Sequence, residues 1–162
     1  MRERLVAFVV GHEKWGKSYT LRALHAICGE GANRVTIGKT EFFVRKSSND
    51  DIRQKKPDSY INFMYSVSSP YVIAALCPKF KKLRNYNHPK KVADGILRGL
   101  RRKGYRLVFW VIKYRWGNSD KYVSRKEISE LRRYGRVKVF EKVDAKNQAR
   151  AKSFRAFVFS TL

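Results

Sequence analysis

The chain has 162 residues, 43% hydrophobic and 14% aromatic, enough to bury the core of a single domain spanning 1–162. Its 37 lysines and arginines against 13 acids give a formal net charge of +24, which excludes a neutral or acidic surface and makes a polyanion, nucleic acid first, the expected partner. The two cysteines, Cys28 and Cys77, have no CxxC spacing to support zinc, and no apolar run reaches bilayer length, so a cytoplasmic protein with no membrane contact is expected.

Residues 4–10, RLVAFVV, form an almost unbroken apolar run, the pattern of a strand buried on both faces of a parallel sheet. After the loop GHEKWGKS, Leu21, Leu24 and Ile27 recur at helical spacing, predicting a helix over 18–28 that Gly29 stops. RVTIGKTEFFVRK (34–46) holds two β-prone runs around Gly38-Lys39, compatible with a tight hairpin or with one bulged strand. SSNDD (47–51) is loop chemistry. Asp58 can cap a short helix over 59–67, which Pro70 bounds.

YVIAALC (71–77) is a second continuous apolar strand, closed by Pro78, and a strongly basic segment follows. Val92, Ile96 and Leu100 stripe a helix over 90–103, ended by Gly104. YRLVFWVIKY (105–114) reads as a strand and WGNSD (116–120) as a loop. Ser124 and Glu127 form a capping box for a helix closed by Gly135. RVKVFEKV (136–143) alternates like a half-exposed edge strand. A last helix is predicted over 144–160, its apolar residues concentrated in AFVF. Strands alternating with helices predict an α/β fold of three layers, with a mostly parallel central sheet and helices on both faces.

GHEKWGKS places Gly11, four residues, Gly16, Lys17 and Ser18 between a buried strand and a helix. This order resembles the P-loop nucleoside-triphosphatase superfamily, by motif over residues 4–28 and by alternating layout beyond them. The resemblance implies a binding site for ATP and magnesium made of Gly11, His12, Glu13, Lys14, Trp15, Gly16, Lys17, Ser18 and Tyr19. Backbone N–H groups of such a loop and the N-terminus of the following helix attract phosphate. Lys17 is expected to reach the β- and γ-phosphates, and Ser18 to place its hydroxyl on the magnesium ion. Trp15 either covers the phosphates or base, or is a surface aromatic.

The acid that a hydrolytic member carries at the end of a neighbouring strand is absent: YVIAALC ends in Cys77-Pro78, and YRLVFWVIKY ends without a carboxylate. The guanine-reading NKxD motif is absent too, so adenine nucleotides are the default. Asp50 and Asp51 are the candidates for catalytic work, Asp51 also for the metal; a solvated Asx turn over 49–51 is the alternative. Asp120 is a weaker candidate.

Residues 79–115 hold thirteen lysines and arginines against one acid, Asp94, with Tyr86, Tyr105, Tyr114 and Trp116 interleaved. Cations neutralise phosphates and aromatics stack on unpaired bases, so Lys81, Lys82, Arg84, Arg101, Arg102 and Lys103 are candidate nucleic-acid contacts. No module for sequence-specific reading is present. Three functions fit: an ATPase that turns over in association with nucleic acid, a small kinase acting on nucleotides or polynucleotide ends, and a nucleotide-regulated nucleic-acid-binding protein without turnover.

Overall fold

The computed structural model describes residues 3–49, 69–83 and 92–162. Six strands form one sheet in the order β2-β3-β4-β1-β5-β8: β1 Arg4–Val10, β2 Arg34–Ile37, β3 Thr40–Arg45, β4 Tyr71–Leu76, β5 Tyr105–Ile112 and β8 Gly135–Phe140. All neighbours pair in parallel except β2 with β3. Four helices lie among the described residues: α1 Lys17–Cys28, α2 Ala93–Arg102, α3 Arg125–Arg132 and α4 Asn147–Thr161. The architecture is the three-layer α/β arrangement that the alternation predicts.

The pairing of β1 explains its unbroken hydrophobicity. It lies between β4 and β5, with Phe8 opposite Ala74 on one side and Phe109 on the other. With both edges paired and both faces covered, Leu5 to Val10 are buried and only Arg4 at the strand's start reaches the surface. Val6, Phe8 and Val10 face a cluster completed by Ile96, Leu97 and Leu100 of α2 and Leu131 of α3. Leu5, Ala7 and Val9 face a second cluster with Leu21 and Leu24 of α1 and Phe154 and Val158 of α4. Each such fully buried large side chain contributes about 1.5–3 kcal/mol.

The hairpin forms, with Gly38 at φ 63° turning β2 into β3 and Ile37 opposite Thr40. β8 is an edge strand, as its alternation predicts, with Arg136 and Lys138 outward. Gly135 begins it because a Cβ there would stand only 1.9 Å from the Leu107 carbonyl oxygen across the ladder. One expectation is corrected. WGNSD is not simply a loop: β6 (Tyr114–Arg115) and β7 (Asn118–Tyr122) pair antiparallel around Gly117 at φ 69°. The hairpin projects beyond β5, so the alternation of buried residues that marks a sheet strand is missing from it. The predicted helix over 59–67 lies outside the described residues.

From β1 the chain runs to β3 on one side, returns to β4 beside β1, then crosses to β5 on the other side. The sheet order therefore reverses at β1. In open parallel sheets, ligands bind beyond the carboxyl ends of the strands at such a reversal. The residues there are Gly11–Ser18.

Candidate functional site

The ladder between β1 and β4 continues one residue past the strand, with the Gly11 N–H donating to the Leu76 carbonyl at 3.1 Å. The chain then turns, the Trp15 N–H donating to the His12 carbonyl at 3.2 Å. Lys14 has φ 64° and Gly16 φ 93°. A lysine in the left-handed region is unfavourable, and such strain gathers at ligand sites. Left-handed residues in a short loop also turn successive N–H groups toward one point, forming a concavity for an anion. α1 begins at Lys17 with Gly16 as its N-cap, no side-chain cap and no acid in its first turn. The positive end of its dipole is therefore not neutralised within the helix.

Lys17 is buried, and its Nζ donates to the carbonyls of Gly11 at 2.7 Å and His12 at 3.0 Å. The ammonium is thus folded across the mouth of the loop. Ser18 is exposed at the same helix start, its Oγ 3.3 Å from the Lys46 carbonyl. Tyr19 and Glu13 are also exposed.

Three elements grip the loop from outside. His12 places Nε2 2.9 Å from Glu127 Oε2, and its Nδ1 is 3.8 Å from Cys77 Sγ. The Glu127 contact lies off the ring N–H direction, so it is a close polar contact more than an aligned hydrogen bond. Glu127 also completes the capping box: its Oε1 accepts from the Ser124 N–H at 2.9 Å and its own N–H donates to Ser124 Oγ at 3.1 Å. Burial pushes the Glu127 carboxyl up, but the His12 contact and the bonds with Ser124 outweigh it and leave the group below its ordinary value. Next to it, Asn49 clamps the end of β4, accepting from the Cys77 N–H at 2.7 Å and donating to the Cys77 carbonyl at 3.1 Å.

The third grip is Arg150 of α4. It is 1% exposed, and its Nη1 donates to the Trp15 carbonyl at 3.0 Å. Its Nε and Nη2 are buried without a hydrogen-bond partner among the described residues. Burial alone lowers its pKa. A buried guanidinium with two nitrogens lacking a hydrogen-bond partner is costly, and an anion arriving nearby relieves that cost.

A cavity of about 350 Å³ opens beside the loop, between Lys14, Gly16, Tyr19 and Arg150 on one side and Trp116 and Lys146 on the other. No carboxylate lines it among the described residues. Tyr19 and Trp116 are each 61% exposed, and Arg22 lies over one face of the Tyr19 ring at 5.5 Å.

Gly11–Tyr19 form one turn and helix start beside the cavity, and one of the two readings of Trp15 falls. Trp15 is no surface aromatic: it is 8% exposed, joins the core cluster under β1 and meets His12 edge-on with ring centroids 5.0 Å apart. Asp120 is exposed on β7, where its N–H is held by Asn118 Oδ1 at 3.0 Å. Asp50, Asp51 and Arg84 lie outside the described residues. Two groups beside the loop were not legible as site residues. Glu127 reads in sequence as a capping residue, and Arg150 as one more cation on a basic helix. Each is more than a hundred residues from the loop, and no local spacing announces such a contact.

The basic segment does not form one face. Lys81 and Lys82 follow β4 at the loop end of the sheet; the Lys81 N–H donates to Asp94 Oδ1 at 3.0 Å, and Lys82 pairs with Glu130 at 2.6 Å. Arg101, Arg102 and Lys103 end α2 at the opposite end, where β5 begins. No helix among the described residues is long and apolar enough to cross a membrane. Compared with known proteins, the chain matches no family model, no curated protein and no solved structure.

Proposed function

We propose that the chain binds ATP with magnesium through a P-loop at Gly11–Ser18 and hydrolyses it in association with nucleic acid. The observation that carries the reading is the loop itself. It stands at the reversal point of a parallel sheet, bends through left-handed Lys14 and Gly16, and holds a buried lysine across an uncapped helix N-terminus. Lys17 swings from the Gly11 and His12 carbonyls onto the β- and γ-phosphates, exchanging neutral acceptors for charged ones.

The donor set fits magnesium delivered with the triphosphate. Magnesium takes one or two protein oxygens plus phosphates and waters, not an all-protein cage. Ser18 offers a hydroxyl at the helix start, and no cluster of three or more potential metal ligands exists among the described residues. Asp51 is the further carboxylate proposed for the metal, and Asp50 or Asp51 for positioning the attacking water.

Arg150 orients the loop. In a trans peptide the Trp15 carbonyl and the Gly16 N–H lie in one plane and point in opposite directions, so holding the carbonyl aims the N–H away from Arg150, where we place the phosphates. The adenine takes the cavity between Tyr19 and Trp116, where two aromatic faces can sandwich a flat ring.

One observation favours a second reading. β4, immediately beside the loop strand, is followed by Cys77 held by Asn49, where a hydrolytic site would carry an acid. Nucleotide binding that regulates a nucleic-acid contact, without turnover, fits that end. An assay with γ-labelled ATP, with and without single-stranded DNA and RNA, separates the readings. Released phosphate, stimulated by nucleic acid, is expected; bound ATP without release establishes the second reading; label transferred to a nucleotide or polynucleotide 5′ end establishes a kinase; no binding removes all three.

A further inference from the structure

Where β5 and β8 begin, at the end of the sheet away from the phosphate loop, a second cavity of about 360 Å³ is lined by Arg101, Arg106, Arg136, Tyr105, Tyr134 and Gly135. Its floor exists because Gly135 lets β8 close on Leu107, so no side chain fills the notch. The three arginines are exposed and arrive from different elements. Each is oriented by its own chain. Arg101 Nη1 donates to the Arg133 carbonyl at 3.2 Å, Arg136 Nη1 to Ser160 Oγ at 3.1 Å, and Arg106 Nη2 to the Thr161 carbonyl at 2.8 Å. These bonds use one or two of the five donors of each guanidinium, and they fix where the fork points. Arg136 also lies over the Phe157 ring at 5.3 Å, and Arg4 over Tyr105 at 5.6 Å. Glu3 is the acid that meets this rim, paired with Arg106 at 2.8 Å.

We infer that this cleft holds the phosphodiester backbone of a single-stranded polynucleotide, at a site separate from the triphosphate loop. The inference rests on the nucleic-acid part of the proposed function and locates it. Three arginines lining one cleft suit phosphate oxygens because the planar guanidinium donates two parallel bonds, and the partly buried Tyr134 beside them is the aromatic an unpaired base can reach, Tyr105 being core. A notch walled by side chains accepts a chain and not the plane of a membrane. β5 spans the distance between the two ends, about 25 Å at 3.3 Å per residue. A phosphate in the cleft is therefore far outside the roughly 3–3.5 Å at which groups react with a nucleotide in the loop. Nucleic acid held there is an effector or a tether, not the acceptor of a phosphoryl group. DNA and RNA share the chemistry that the cleft reads.

The test uses fluorescence anisotropy of labelled oligothymidylate and oligouridylate with the full chain, across a salt series. The variants are R101Q and R136Q, alone and together, since neither arginine has an acid partner among the described residues to leave unpaired. Losing two phosphate contacts should lower the magnitude of the salt slope by about 1.4, which is roughly 25-fold in affinity at 0.1 M salt. The variant R101K/R136K keeps the charge, so its slope should return toward wild type, showing that the loss in the glutamine variant is not misfolding. ATP with magnesium should not displace either oligonucleotide. Unchanged affinity in R101Q/R136Q, or displacement of the oligonucleotide by ATP, overturns the inference while leaving nucleotide binding intact. Wild type that binds anionic vesicles but no oligonucleotide overturns it together with the nucleic-acid part of the proposed function; ATP binding is then judged separately by its own assay.

Discussion

At the carboxyl end of the sheet, Lys14, Lys17 and Lys146 lie at a loop pinned by His12, Glu127 and Arg150. At the other end, Arg101, Arg106 and Arg136 ring a notch floored by Gly135. Both ends are cationic, and they differ in what the cations can do. Lysine is a point charge on a flexible stem, suited to following a phosphate that arrives and leaves. Arginine is a fixed fork, suited to holding a backbone in one orientation. A net charge of +24 summed over the chain does not distinguish them. The comparison teaches that a basic segment continuous in sequence serves two ends of the molecule once a helix and a strand carry it across the sheet.

Lys17→Ala should separate the ends most sharply. Removing the charged donor should weaken ATP binding by about 3 kcal/mol, roughly 150-fold, as isothermal titration would read it. Oligonucleotide affinity should stay unchanged; a parallel fall in both would merge the two ends into one site.

Gly135→Ala should act on the other end and through stability. A methyl group 1.9 Å from the Leu107 carbonyl oxygen must push β8 away from β5. The expected loss is about 2–3 kcal/mol, a fall of roughly 4–12 °C in Tm for a chain of this size. An unchanged Tm in calorimetry would mean that the ladder yields there at no cost.

Arg150→Met tests the grip on the loop. It should weaken triphosphate binding about tenfold, because the Trp15 carbonyl loses its charged donor. The Tm of the nucleotide-free protein should not fall, since an unpaired buried cation leaves with the substitution. A lower Tm with unchanged ATP affinity would make Arg150 a packing residue only.

Glu127→Gln should have the smallest effect, about 1 kcal/mol, because glutamine preserves the capping box while removing the charge facing His12. The folded carboxyl titrates below its ordinary value. Its stabilisation is therefore complete above the ordinary carboxylate range and is lost as pH falls through the lowered folded value. Thermal melts from neutral into acid solution should show a shallower acid-side loss in the variant than in wild type.

The sequence by itself determined the layered α/β plan, the buried character of β1, β4 and β5, the turn-prone glycine at 38, the capping box at Ser124 and the spacing of Gly11, Gly16, Lys17 and Ser18. All of these are written in residues that are close in the chain: apolar runs, helical stripes, turn glycines and a four-residue capping motif are local patterns with local causes. Only the tertiary structure decided that β1 sits at the reversal of the sheet, that Trp15 is core, that Glu127 and Arg150 close on the loop, and that the basic segment divides between two ends. Those outcomes depend on strand order and on contacts between residues up to 135 positions apart, Arg150 to Trp15 being one. Burial and pairing at such separations follow from how the layers pack, and nothing in a residue's own neighbourhood encodes which distant group it will meet.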